Sequence, residues 1–200
     1  MAQIPLNLVF EDQISEFIMV KLIEKTKKFI IGNSYSEGGF GYIKKNISGF
    51  NEAAKGCPFF ILTDLDNMDC PPTLINTWLR EPMHENLIFR IAVKEVEAWI
   101  LADIEGFCEY TGISSSHLSD TPEEIIDPKA ELIKLIRICR KRKIKEDILP
   151  IDQYASIGPN YNARLGEFVI NYWSISRAMK RSDSLKRAIE HLSAFNIAYN

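Results

Sequence analysis

The sequence lacks the residue patterns that build metal-stapled and disulfide-stapled folds. Its four cysteines, Cys57, Cys70, Cys108 and Cys139, stand far apart with no Cys-x-x-Cys pair, which speaks against zinc ribbons and disulfide scaffolds. Reduced, mostly buried thiols in a cytoplasmic protein are expected instead. The three histidines, His84, His117 and His191, are isolated, whereas zinc hydrolases cluster their ligands. No apolar stretch approaches the roughly 20 residues that span a bilayer, so no membrane association is expected. The opening MAQIPLNLVFED has no basic stretch followed by a long apolar segment, and reads as a first strand rather than a signal peptide. A G-x-x-x-x-G-K-[ST] phosphate loop is also missing, so an ATPase working with this chain would be a separate protein. There is no internal repeat and no low-complexity tract.

What is present suits a globular chain. Its 200 residues are 46% hydrophobic and 26% charged, ordinary proportions for one domain with at most a modest extension and a sizeable core. The net charge of −3 conceals an asymmetry. Residues 1–128 hold 10 basic and 20 acidic residues, and residues 129–200 hold 14 and 7. An acidic first part beside a basic second part suits a metal site next to a polyanion track, and equally suits two faces of opposite charge packing together.

The periodicities alternate. LNLVF (6–10) is a short strand-like run, followed by a helical pattern through Ile14, Phe17, Ile18 and Leu22. A weak strand and the glycine- and serine-rich loop NSYSEGGFG (33–41) precede a helix over 43–55. CPFFILT (57–63) and NLIFRIAV (86–93) are continuous apolar runs of the kind buried on both faces of a parallel sheet. Pro71 and Pro72 open a helix through Trp78, and residues 94–112 read as one helix stopped by Gly112. This order predicts an α/β fold, a mainly parallel Rossmann-like sheet flanked by helices. The expected division is an α/β core over 1–113 and a basic helical extension over 114–200. In that extension a strongly basic helix spans 129–143, and ARLGEFVINYW, SISRAMK and SLKRAIEHL form two or three short helices.

The run FFILTDLDNMDC (59–70) ends a buried strand in three carboxylates. Side chains two apart in a strand share a side, which would aim Asp64 and Asp66 together from the carboxyl edge of the sheet, where open α/β sheets bind ligands. Glu11 holds the matching place after the first strand. If those strands are neighbours, three carboxylates meet, and a hard divalent cation, Mg²⁺ or Mn²⁺, is the simplest compensation. Such a site supports phosphoryl transfer. A D-x-D alone also occurs in phosphatases, in glycosyltransferases and as a helix-capping acidic loop.

FED followed by TDLD resembles the Toprim fold of topoisomerases, primases and OLD-type nucleases. AVKEVEAWILAD (92–103) and GPNYNARLGEFV (158–169) resemble a bacterial Toprim-related family labelled domain of unknown function 4276, which carries a Glu-Ala-Trp-x-x-x-Asp helix and a Gly-Pro-x-Tyr-x-x-Arg turn. Asp12 departs from the pattern, standing where a glycine commonly follows the catalytic glutamate. The resemblance implies a Toprim-like fold and a Mg²⁺- or Mn²⁺-dependent nuclease cutting DNA or RNA. Its implied metal ligands are Glu11, Asp64 and Asp66, with Glu97 as a further catalytic acid; Asp69, which continues the acidic loop, is an added candidate metal ligand. The resemblance also implies a bacterial antiphage-defence or toxin setting. A non-catalytic metal- or nucleotide-binding subunit partnering a separate ATPase is the alternative, and a homodimer is left open.

KLIRICRKRKIK (134–145) packs seven Lys/Arg into twelve positions. Arg140, Lys141, Arg142 and Lys143, with Lys45 and the signature residue Arg164, are the candidate nucleic-acid contacts. A solvated helix face, and for Arg164 a buried ion pair, are the structural alternatives.

Overall fold

A computed structural model describes residues 3–152 and 154–198. The chain divides into two compact units, one formed by Met1–Val93 with Lys186–Asn200 and the other by Lys94–Leu185. The division falls directly after the last strand and not at 113/114 as composition suggested, because the Glu-Ala-Trp segment packs with the helices that follow it.

The first unit alternates β1 (Ile4–Val9), α1 (Gln13–Thr26), β2 (Phe29–Tyr35), α2 (Gly39–Ala53), β3 (Phe59–Asp64), α3 (Pro71–Trp78) and β4 (Leu87–Ala92). Among the described residues the four strands form one all-parallel sheet in the order β2-β1-β3-β4. The α/β expectation is met, including the weak strand, which is an edge. β2 carries Ile30 and Ile31 exposed on that edge. It consumes part of the NSYSEGGFG segment expected as loop.

Topology dictates the layering. The β1-to-β2 crossover runs one way along the sheet and the β2-to-β3 and β3-to-β4 crossovers run the other, so right-handed connections put α1 on one face and α2 with α3 on the other. Accordingly Val9, Phe59, Ile61, Leu87, Phe89 and Ile91 pack with Ile43, Ile47 and Phe50 of α2 and Leu74 of α3. The direction of winding reverses between β1 and β3. A crevice at that reversal, outside the carboxyl ends of the strands, is where sheets of this kind receive ligands.

In the second unit α4 (Val96–Leu101) and α5 (Ile104–Thr111) replace the single helix expected over 94–112. Asp103 interrupts it by capping α5, accepting the Gly106 N–H at 3.1 Å. Gly112 does stop α5, with φ 75° and its N–H donated to the Cys108 carbonyl. The basic helix expected over 129–143 is also two, α6 (Pro128–Arg137) and α7 (Arg142–Ile148). No breaker residue lies between them. The Thr111 carbonyl draws in the Arg140 N–H at 3.3 Å and the Cys139 thiol at 3.1 Å, a tertiary pull that local sequence does not reveal. Then follow α8 (Tyr161–Asn171), α9 (Ile175–Ala178) and α10 (Asp183–Ala194), as the tail patterns suggested; α10 from Lys186 onward belongs to the first unit. The four cysteines are free, but only Cys139 is buried and the other three are half-buried.

Candidate functional site

The carboxyl ends of β1 and β3 are neighbours, and the acids that follow them come together there. Val9 is registered with Ile61, so the chain leaving β1 at Phe10 and Glu11 passes alongside Thr63 and Asp64. The Glu11 Oε1 atom accepts from the Thr63 hydroxyl and, at 3.0 Å, from the Asp64 N–H. Burial nevertheless raises the Glu11 carboxyl above the ordinary carboxylate range, outweighing those two donors, and the charges of Asp66 and Asp12 push in the same direction. Asp12, the departure from the Toprim pattern, has a local duty. It is the N-cap of α1, in extended backbone with its side chain accepting from the Ser15 N–H at 2.8 Å.

Asp64 and Asp66 do not continue one strand. β3 ends at Asp64, whose N–H serves Glu11, and Asp66 lies in a turn closed by the Met68 N–H on the Leu65 carbonyl at 3.0 Å. Asp66 has φ 50° there, a conformation that aspartate tolerates better than most residues but that still carries strain. The two-residue alternation expected for the pair therefore stops at Asp64. Asp66 remains close enough to act on Glu11 electrostatically, and Asp69 sits farther along the same exposed loop.

The donor set is all oxygen, which fits a hard divalent cation. Among the described residues, however, no three acidic, histidine or cysteine side chains already stand in a group able to hold a metal ion.

The remaining signature residues are held within the second unit. Glu97 is fully buried; Tyr161 donates to its Oε1 at 2.8 Å and the Lys129 ammonium lies 3.4 Å away. Glu95 and Glu97, two residues apart, would face different ways on one helix. Glu95 is instead the extended residue before α4, and its Oε2 accepts the Lys129 N–H at 2.8 Å, so both carboxylates meet the start of α6. Trp99 is core, its indole N–H donated to the Ser184 hydroxyl at 2.6 Å and its carbonyl taking the Trp173 indole N–H at 2.9 Å. Arg164 is an ion-pair hub between Asp147 at 2.6 Å and Glu167 at 2.5 Å, and these carboxylates hold its guanidinium more firmly protonated than usual. Lys45, Arg140, Lys141, Arg142 and Lys143 are exposed. Arg142 is partly neutralised by Glu146 at 2.6 Å, and the Lys141 ammonium donates to the Glu109 carbonyl at 3.1 Å.

Sequence reasoning missed Asp103 as a structural centre. Its carboxylate is fully buried, bound by Arg177 through Nε at 2.6 Å and Nη2 at 2.9 Å, and by the Ser174 N–H at 2.6 Å. The only signal was an acid inside an apolar stretch followed three residues on by glycine, an N-cap pattern hidden by the helical periodicity around it.

Comparison with protein-family models, with curated proteins and with solved structures finds no match to this chain. Among the described residues no helix is long and apolar enough to cross a membrane.

Proposed function

We propose that this chain is a Mg²⁺- or Mn²⁺-dependent nuclease of Toprim type, hydrolysing phosphodiester bonds in DNA or RNA. One observation carries the reading: the Glu11 carboxylate is bonded to the end of β3 at the reversal point of an all-parallel sheet, half-buried and beside Asp66. An acid kept there against its own burial cost is explained by a cation that compensates it. Glu11, Asp64 and Asp66 would hold the ion. When bound, it would supply an activated water and neutralise charge on the phosphate. Thr63 and the Asp64 N–H orient one oxygen of Glu11 and leave the other for the ion. The turn at Leu65–Met68 sets Asp66 beyond the strand end, and in this reading the ion draws the carboxylates into a closer group than they form without it. The exposed Arg140–Lys143 segment would follow the phosphate backbone. A bacterial defence or toxin role, with a separate ATPase as controlling partner, belongs to the same proposal.

The test is incubation of purified protein with plasmid, single-stranded DNA and tRNA in Mg²⁺, Mn²⁺ or EDTA. Metal-dependent cleavage that is lost in Asp64→Ala and Asp66→Ala is expected. Cleavage that is equal in both variants, or absent with every metal and substrate, overturns the nuclease reading.

A further inference from the structure

A second polar cluster in the first unit owes nothing to the carboxylates. Leu87, Phe89 and Ile91 of β4 face the core with α2 and α3, so Arg90 leaves the opposite face. Two basic side chains of α10 lie within electrostatic reach of it there, Arg187 acting on Arg90 and Arg90 acting on His191; they are one helical turn apart and therefore share a side of the helix. Both are exposed, whereas Arg90 is only partly so, and its buried Nε has no hydrogen-bond partner among the described residues. None of the three pairs with a carboxylate among those residues. Burial and Arg187 hold the Arg90 guanidinium below its ordinary range, and burial and Arg90 do the same to the His191 imidazole.

A structural arginine on a sheet face is normally matched by an acid, as Asp103 matches Arg177 in the other unit. Here the neighbours of Arg90 repel it, and a buried N–H is left without an acceptor. Each feature is unfavourable alone, and a bound oxyanion offsets the repulsion among these basic groups.

We infer that Arg90, Arg187 and His191 form a binding site for a phosphate group carried by a nucleotide or a nucleic-acid strand. Phosphate fits better than carboxylate. It offers oxygens to both guanidinium forks and enough negative charge to offset two arginines, while one carboxylate would leave net positive charge. The register of β3 and β4 pairs Leu62 with Arg90 and Asp64 with Ala92, so Arg90 emerges on the same face as Asp64, two residues nearer the amino end. The inference rests on these three basic side chains alone and holds whether or not Glu11, Asp64 and Asp66 bind a metal.

The test is titration of the full chain with inorganic phosphate at fixed pH, in EDTA, with ionic strength held by chloride. The readout is the imidazole resonance of His191, assigned by its loss in His191→Gln. A saturable shift is expected, absent with acetate, and weakened about tenfold or more in Arg90→Gln and in Arg187→Gln. Arg187 is exposed, so its variant decides the matter even if Arg90→Gln fails to fold. Adenosine monophosphate binding more tightly than a dinucleoside monophosphate assigns a terminal phosphate, and the reverse order assigns a backbone diester. A shift that chloride reproduces, or that the Arg187 variant leaves unchanged, overturns the proposal.

Discussion

Asp103 is the acid whose removal should cost most, and for structural reasons. Asp103→Ala strips Arg177 of both acceptor oxygens and leaves the Gly106 and Ser174 N–H groups without their partner. Breaking a buried ion pair from one side costs about 3–5 kcal/mol. Arg177 keeps 37% of its side chain exposed and can turn toward water, which favours the lower end, about 3 kcal/mol. Loss of the α5 cap adds about 1 kcal/mol. The expected total is about 4 kcal/mol, a large part of the 5–15 kcal/mol typical of a folded domain. Asp103→Asn keeps the shape and one acceptor, and should cost about 2 kcal/mol, the worth of a charged hydrogen bond. Urea unfolding of Asp103→Ala, Arg177→Ala and the double variant closes a cycle whose coupling energy should reach about 2 kcal/mol, because once one partner is gone the other has little left to lose. Additive single effects, or a cost for Asp103→Ala below about 1 kcal/mol, would refute the claim that this pair ties α5 to α9.

Two further predictions separate the acidic and basic candidates. Glu11 is raised above its ordinary value of about 4.5, so the folded state binds the proton more tightly than the unfolded chain. Its contribution is fully favourable below that value and is lost as pH rises through the raised one. Glu11→Gln should therefore gain on the wild type as pH climbs from about 4.5 in EDTA and then level off. Mg²⁺ should reverse the order if the carboxylate binds it; urea midpoints across pH check both, and a pH-independent difference refutes the burial account. In nucleic-acid binding, Lys141→Gln with Lys143→Gln should lower the slope of log affinity against log salt by about 2. Arg164→Gln should leave that slope unchanged, because Asp147 and Glu167 already neutralise the guanidinium; filter binding across a salt series reads both.

The legibility of the chain follows where the determining interactions are local. The strand and helix alternation, Pro71 as a helix start and Gly112 as a stop were visible because each depends on residues within a turn or on a two- or three-to-four periodicity. Glu11 and Asp64 could be paired in advance because parallel strands deliver their ends to one edge. The breaks at 102–103 and 138–141 were hidden. One is made by the Asp103 cap of α5, a local pattern masked by the surrounding helical periodicity and fixed by Arg177 more than seventy residues away, and the other by the Thr111 carbonyl. Asp66 was misaimed for a related reason: the strand period was carried past the residue where the sheet stops.

Set side by side, several acids differ in what compensates them. Glu123 takes the Ser182 hydroxyl at 2.6 Å and the Ser184 N–H at 3.0 Å, Asp103 takes Arg177, and Glu97 takes Tyr161 with Lys129 nearby. Each is matched by donors or cations, as a carboxylate that holds a fold together must be. Glu11 takes only neutral donors, the Thr63 hydroxyl and the Asp64 N–H, and the charges acting on it from Asp12 and Asp66 are repulsive. Asp66 makes no hydrogen bond or ion pair among the described residues and sits at φ 50°, where glycine would be easier. Folding alone would be served better by glutamine at 11 and glycine at 66. Two acids at positions where the fold gains little from either are the physical support for the metal site proposed at the β1–β3 edge.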